Sequence, residues 1–207
     1  MITVIDYGMG NIRSVVKAFE LYTKDVRVSS DPSSAKTSAA LVLPGDGAFG
    51  MAMENLNRLG WAVPLKEFIE DGGYFFGICL GYQLLFSSSE EFGYSDGLDV
   101  IKGAITRFPK SELKVPHMGW NSVNFIGDSP FLQGIPGGSY FYFIHSYYPL
   151  TESRDWALGE TEYGISFPCI AGKGNLIATQ FHPEKSHKFG LMIVENFVRN
   201  CARNSGH

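Results

Sequence analysis

The chain has 207 residues, of which 44% are hydrophobic and 18% charged, and its formal net charge is -4. This length suffices for a full hydrophobic core, so we expect a single domain over residues 1–207. The acidic balance gives no basic surface to hold phosphates, which disfavours nucleic-acid binding and favours a small-molecule substrate.

Cysteine usage indicates a reducing compartment. Cys79, Cys169 and Cys201 form an odd set without a CxxC pair, which argues against a disulfide framework and a zinc site. The first residues carry no basic segment before an apolar run, and no apolar stretch approaches about 18 residues. We therefore expect a cytoplasmic protein with no membrane segment and no bound metal.

The first half alternates β-rich runs with helical periodicities, which is typical of a parallel sheet flanked by helices. The spacing of Ile12, Val15 and Phe19, for example, marks one face of a helix. Strands are predicted at residues 2–5, 41–43 and 74–76, and helical stretches at 12–19, 51–59, 65–69 and 83–86. Gly8 and Gly10 resemble part of a dinucleotide-binding motif, but Arg13 occupies the third glycine position, so no cofactor is predicted.

The second half is richer in strands and turns. Strands are predicted at residues 100–106, 140–144, 165–171 and 176–181, and a closing helix at 188–199. The interval 87–98 has the most loop-like composition. The expected fold class is therefore α/β with a mixed sheet.

Cys79 stands at a sharp turn between the third strand and the helical run that follows it. The segment Gly77-Ile78-Cys79-Leu80-Gly81 has the form of a nucleophile elbow with sulfur in place of oxygen. Glycines two positions before and after the nucleophile avoid backbone collisions. Unpaired N–H groups at the helix start favour the thiolate and can receive an oxyanion. The alternative is that Cys79 is only a small buried hydrophobic residue. Cys169 and Cys201 have no such turn around them, and we interpret them as core or surface cysteines.

His182 is the best candidate for the base that a thiolate needs in amide chemistry, since imidazole can accept and return a proton. It follows a predicted strand in the tripeptide His182-Pro183-Glu184. Residues i and i+2 of an extended segment project to one side, so Glu184 is expected to orient the imidazole. The tripeptide alone also fits a surface turn. His117 and His145 are interface or pocket candidates, and His187 and His207 are expected on the surface.

The elbow and the His-Pro-Glu tripeptide together resemble the class I, triad-type glutamine amidotransferases. More narrowly, the chain is similar to the glutaminase subunits of imidazole glycerol phosphate synthases, which act in histidine biosynthesis. The residues that carry the narrower resemblance are 6–11, 44–49, 114–121, 140–148 and 182–185. They span nearly the whole chain.

This resemblance implies a flavodoxin-like α/β domain with a mainly parallel sheet that docks on a β/α-barrel cyclase subunit. Cys79 would attack the carboxamide of glutamine, His182 would move protons and Glu184 would orient His182. The released ammonia would pass to the cyclase. The remaining implied roles are glutamine binding by Gly47, Gln83, Glu91, Ser146 and Tyr147; the oxyanion site and its loop at Gly45, Asp46 and Leu80; and partner contact by Asn11, His117, Met118, Trp120, Asn121 and Lys185.

Two positions depart from the family pattern, and two of the implied roles have simpler interpretations. Asp46 stands where an apolar residue is usual, and a carboxylate facing the oxyanion would repel it, so Asp46 should point away or lie at the interface. Tyr82 replaces a common methionine. Glu91, beside Glu90, also fits a solvated acidic loop, and Trp120 also fits core packing.

Three other functions are compatible with these residues. A paralogous glutaminase could feed a different barrel-type synthase, for example in the amidation of surface sugars. A catalytically idle interaction module could keep the same fold. The triad alone also allows a hydrolase of peptides or γ-glutamyl compounds.

Overall fold

A computed structural model of the chain describes residues 1–151 and 153–204. His207, expected on the surface, lies outside the described residues. The first half of the chain contains, in order, β1 (Ile2–Ile5), α1 (Ile12–Glu20), β2 (Val26–Ser29), β3 (Ala40–Leu43), α2 (Phe49–Arg58), α3 (Ala62–Glu70), β4 (Tyr74–Ile78) and α4 (Leu80–Gln83).

The second half is dominated by strands and closes with a long helix. Its elements are β5 (Phe86–Ser89), β6 (Ser95–Asp96), β7 (Ile101–Arg107), β8 (His117–Phe125), β9 (Ser139–His145), β10 (Tyr147–Leu150), β11 (Ala157–Glu162), β12 (Ser166–Lys173), β13 (Leu176–Thr179) and α5 (His187–Asn204). Short 3₁₀ turns lie at Pro32–Thr37, Pro130–Leu132 and Pro183–Lys185.

Within the described residues, one mixed sheet runs through the molecule in the order β2-β1-β3-β4-β13-β12-β11-β8-β9. Its neighbours from β2 to β13 are parallel, and those from β13 to β9 are antiparallel. A smaller sheet has the order β10-β7-β5-β6. The predicted α/β class with a mixed sheet is therefore confirmed.

Helices cover both faces of the parallel region. Alternate residues of a strand point to opposite faces, and on β4 Phe76 packs with α1 and α5 whereas Phe75 packs with α2 and α3. This burial on both faces explains why the strand is apolar throughout rather than alternating.

One local prediction was wrong and a second was right only in part. The helix predicted at 83–86 ends at Gln83, and Phe86 instead begins β5, which pairs in parallel with β7. The interval 87–98, predicted as a loop, contains most of β5 and all of β6. Phe86 pairs with Ile101 on β7, and β5 and β6 pair with each other, so strand pairing outweighed the local composition in both cases.

The connection from β4 to α4 has the predicted elbow geometry. Cys79 has φ 54° and ψ -105°, a conformation that L-residues rarely adopt. A β-carbon on Gly77 would lie 2.8 Å from the carbonyl oxygen of Gly81, and one on Gly81 would lie 1.9 Å from the carbonyl oxygen of Leu43. The flanking glycines therefore let the nucleophile turn approach the neighbouring strand.

We predict that Gly81→Ala destabilises the protein by at least about 2 kcal/mol, because backbone atoms of β3 must move to admit the methyl group. Urea unfolding of purified protein measures this change. The matched control is Gly137→Ala, where an added β-carbon meets no atom within 4 Å. Equal stability of the two variants would contradict the close approach at Gly81.

Candidate active site

Cys79 and His182 follow two strands that are neighbours in the sheet. β4 and β13 are parallel, with Ile78 opposite Thr179, and the N–H of Cys79 donates to the carbonyl of Thr179 at 2.8 Å. Parallel neighbours end at the same edge of a sheet. The predicted nucleophile and base are therefore brought to one place although they lie far apart in the sequence.

His182 and Glu184 form a buried pair. Nδ1 of His182 lies 2.8 Å from Oε1 of Glu184, and the two side chains are 7% and 3% exposed. The contact expected between His182 and Glu184 is present, but the backbone between them is not extended as predicted. Residues 183–185 form a 3₁₀ turn, in which Lys185 N–H donates to the carbonyl of His182 at 3.1 Å. This turn brings the carboxylate back to Nδ1 of the ring.

The surroundings of His182 favour its charged form. Burial lowers its pKa, but the charge and hydrogen bonding of Cys79, together with the Glu184 carboxylate, outweigh burial and raise the pKa to about 10. Nε2 is buried and has no partner of good hydrogen-bond geometry among the described residues. The arrangement places an imidazole that favours its protonated form beside the sulfur of Cys79, with one N–H available for proton transfer.

A cavity of about 350 Å³ opens in front of Cys79. Its volume suits a small polar ligand. All five residues predicted to bind glutamine line its wall, together with Asp46, Leu80, His182 and Lys185. A larger cavity of about 580 Å³ lies at the other end of β4, near Gly72 and Asn175, and its lining includes none of the predicted site residues.

Two of the side chains predicted to bind glutamine, those of Gln83 and Glu91, are already held by protein partners. Nε2 of Gln83 donates to the carbonyl of Tyr147 at 3.0 Å and to Oε1 of Gln180 at 2.9 Å. Oε2 of Glu91 accepts from the N–H of Phe49 at 2.7 Å, and burial raises the pKa of this carboxyl. Glu91 is therefore half-buried at the cavity rather than part of a solvated acidic loop.

Asp46 joins two loops at the rim of the cavity. Its Oδ1 accepts from the N–H of Gly10 at 2.9 Å. The loops approach closely, since a β-carbon on Gly10 would lie 3.1 Å from Cα of Gly45. The carboxylate is thus engaged by a backbone amide outside the elbow, while the residue still lines the cavity.

The predicted partner contacts differ in exposure. Met118 and Trp120, on β8, are 60% and 45% exposed, so Trp120 does not belong to the core. Its ring stacks on that of the exposed His187, with centroids 4.9 Å apart. Asn11 and Lys185 are exposed, Asn121 is half-buried and His117 is 3% exposed. His117 can therefore affect a partner only through its neighbours.

His117 belongs to a buried chain of hydrogen bonds. Its Nδ1 lies 3.0 Å from Nε2 of His145, whose Nδ1 lies 2.8 Å from the carbonyl of Tyr147. Its Nε2 lies 3.2 Å from Nδ2 of Asn121. Burial lowers the pKa of His117 to about 4 and that of His145 to about 3, so both rings are neutral at physiological pH.

Gln180 is a site residue that the sequence analysis missed. It is fully buried, and its Nε2 lies 3.9 Å from Sγ of Cys79. It stands two residues before His182, a spacing that would have suggested a shared direction along an extended segment.

The described part of the chain offers no cluster of three His, Cys, Asp or Glu side chains suited to a metal ion. A separate search of the same residues finds no helix with the length and apolar character needed to span a bilayer.

The chain belongs to the class I glutamine amidotransferase family, whose model matches residues 3–201. It is similar to imidazole glycerol phosphate synthase subunit HisH 1 of Methanococcus maripaludis, with 50% identity over 201 residues, 96% of this chain and 98% of that protein. Subunit HisH of Methanocaldococcus jannaschii is 49% identical over 202 residues, which cover 96% of this chain and 98% of that protein. The solved structure of PurLQS from Thermotoga maritima superposes with a TM-score of 0.76 at 15% identity, covering 96% of this chain and 97% of that one, which shows the shared fold alone.

We predict that Cys79→Ala lowers the pKa of His182 from about 10 by at least about one unit, because the thiolate that favours the imidazolium is removed. An NMR titration of the His182 ring measures the change. Cys169→Ala, which removes a buried thiol from β12, should leave the pKa of His182 in place. An unchanged value in Cys79→Ala would contradict contact between sulfur and ring.

We predict that the free energy of unfolding falls by at least about 2 kcal/mol between pH 6.5 and pH 4. The pKa values of His117 and His145 are lowered on folding, so the unfolded state binds more protons below pH 6.5 and the stabilisation is lost as the pH falls. The raised pKa of His182 contributes a constant amount in this range, because that contribution is lost only between about pH 6.5 and 10.

Urea unfolding at several pH values tests this dependence. His117→Gln should reduce the slope of stability against pH, whereas the exposed His187→Gln should keep it. Equal slopes in these two variants would show that the buried pair does not control acid stability.

Proposed function

We propose that this chain is the glutaminase subunit of an imidazole glycerol phosphate synthase, which hydrolyses glutamine to glutamate and ammonia. The observation that carries the proposal is the identity of about 50% to HisH subunits over 96% of the chain. The assembly of Cys79, His182 and Glu184 at a cavity of suitable size supports it.

In the proposed reaction, the thiolate of Cys79 attacks the carboxamide carbon of glutamine. The imidazolium of His182 donates the Nε2 proton to the leaving nitrogen, so that ammonia departs and a thioester remains. The neutral ring then takes a proton from water, which attacks the thioester and releases glutamate. Glu184 holds Nδ1 of His182 throughout and so directs Nε2 toward the sulfur.

The oxyanion of the two tetrahedral intermediates needs backbone donors. We propose the N–H of Leu80, at the start of α4, as one of them and the 45–47 loop as the source of another. Asp46 does not prevent the loop from donating to the oxyanion, because its carboxylate accepts from the N–H of Gly10 and would face away from the oxyanion. Glu91, at the cavity wall, suits the ammonium group of the substrate.

The proposed partner is a β/α-barrel cyclase subunit in a cytoplasmic heterodimer. The exposed apolar side chains of Met118 and Trp120 suit such a contact, and Lys185 belongs both to the predicted interface and to the cavity wall. A partner docked there would receive ammonia directly from the cavity, and the ammonia would then enter the lyase reaction of the cyclase.

We predict that Cys79→Ala lowers the glutamine-dependent rate of the complex at least about thousandfold, because no other group can form the thioester. The cyclase reaction supplied with ammonium salt should be retained, since its chemistry belongs to the other subunit. Glutamate release and product formation are both measured, and Cys201→Ala, in α5, serves as the control with near-normal rates.

Hydrolysis by the wild-type chain with and without the cyclase tests the partner. We expect slow hydrolysis alone and strong stimulation in the complex, and complementation of a histidine auxotroph. Full activity of the isolated chain would favour an independent hydrolase. Stimulation by a different barrel synthase without complementation would favour the paralogous role.

A further inference from the structure

The sulfur of Cys79 lies between a hydrogen-bond donor and an acceptor. Nε2 of Gln180 is 3.9 Å from Sγ, and the carbonyl oxygen of Ile144 is also 3.9 Å from it. Both distances are within the range of hydrogen bonds that involve sulfur. Gln180 is fully buried, so its side chain has no surface to offer to a substrate.

The neighbours of Gln180 determine which end of its amide faces the sulfur. The carbonyl of Tyr147 can only accept, so Gln83 turns its NH₂ group toward it, at 3.0 Å. The other N–H of this group donates to Oε1 of Gln180 at 2.9 Å. The NH₂ group of Gln180 is therefore the end directed at Cys79. The orientation of both amides is thus assigned from the Tyr147 carbonyl, whose role as an acceptor is fixed.

The two neighbours of the sulfur favour different protonation states. The Ile144 carbonyl can accept from a thiol but offers nothing to a thiolate. The Gln180 amide donates, and a hydrogen bond to a charged acceptor is stronger than one to a neutral acceptor. Gln180 therefore favours the thiolate, which is the attacking form.

We propose that Gln180 is a further functional residue of this site, a buried amide that donates to the Cys79 thiolate and holds the sulfur in position for attack. Gln83 sets the direction of this amide and so acts as a positioning residue. The effect on turnover rests on the proposed glutaminase function. The effect on the reactivity of Cys79 needs neither glutamine nor a partner, so the two can fail separately.

The titratable side chains that face Cys79 must be considered in any test that varies the pH. They include His182, whose pKa is about 10, and Tyr7, whose pKa is raised far above its usual value, first by burial and then by the charges of Cys79 and Asp46. Asp46, Glu91, His145 and Lys185 line the same cavity as Cys79, and Glu184 contacts His182. Tyr7 stays neutral between pH 5 and 9, and the remaining groups are the same in the wild type and in the variant. A difference between their two pH profiles therefore reports on the sulfur and its hydrogen bond.

Gln180→Met tests the proposal, because methionine has a similar size but no N–H to donate. Alkylation of Cys79 by iodoacetamide is followed from pH 5 to 9 by peptide mass spectrometry, which separates the three cysteines. We expect the pH midpoint of alkylation to rise by about one unit, so that alkylation at pH values below the wild-type midpoint is about tenfold slower, as expected when one charge-assisted hydrogen bond is lost.

The matched control is Thr179→Val, one position earlier on β13. Thr179 is also fully buried, and its hydroxyl donates to the carbonyl of Phe181 at 3.0 Å, so the variant loses a buried hydrogen bond that does not reach the sulfur. Its alkylation rate should stay within about twofold of wild type, a limit well below the effect of one charge-assisted bond.

Circular dichroism and cooperative thermal unfolding establish that each variant folds. If Gln180→Met does not fold, Gln180→Asn takes its place, because it keeps an amide that is too short to reach the sulfur, and the same tenfold loss is expected. Unchanged alkylation and an unchanged pH profile in a folded variant would overturn the proposal.

Turnover in the complex with the cyclase gives a second measurement. The rate constant kcat for glutamine hydrolysis should fall about tenfold while KM changes less than twofold, because a fully buried residue does not bind substrate. A rise in KM alone would assign Gln180 to the shape of the glutamine pocket and would overturn its proposed role at the sulfur.

Discussion

The parallel pairing of β4 with β13 is the constraint on which the site depends. It aligns Ile78 with Thr179. Cys79, the residue that follows β4, donates its N–H to the Thr179 carbonyl. The pairing leaves little room for a side chain at position 77, since a β-carbon on Gly77 would lie 3.1 Å from that of Ala178. A shift of register by one residue would turn His182 to the other side of the sheet.

The site is surrounded by buried polar side chains, each held by a partner. Burying an amide or imidazole is costly unless its hydrogen bonds are satisfied, so His117, His145 and Gln83 have few alternative arrangements. They converge on the Tyr147 carbonyl, which accepts from both His145 and Gln83. One backbone oxygen thus fixes two side-chain directions at the cavity wall, which gives the candidate catalytic groups a rigid support.

Two loops bring the rim of the cavity together. The Asp46 carboxylate links its own loop to Gly10, and the hydroxyl of Tyr7 donates to the carbonyl of Pro44 at 2.9 Å. The rim is therefore held by side-chain bonds to backbone groups, whereas the elbow is held within a sheet. The hydrogen bonds at the rim can break with a small loop movement, whereas those at the elbow break only if β4 separates from β13.

Local chemistry made several features predictable from the sequence alone. Glycines at 77 and 81 around Cys79 indicate the elbow, because the steric requirement lies within five residues. The spacing of Ile12, Val15 and Phe19 indicates α1 for the same reason, since helical periodicity is a local property. The prediction of Cys79, His182 and Glu184 as candidate reacting groups also came from residue chemistry and the family resemblance.

Only the tertiary structure decided which distant segments meet. It turned the predicted helix at Phe86 into a strand, placed His117 in the interior and brought Gln180 to the sulfur. It also replaced the extended segment expected for His182 and Glu184 by a 3₁₀ turn. The physical reason is common to all of these: strand pairing and burial depend on partners remote in the chain, and no local pattern specifies them.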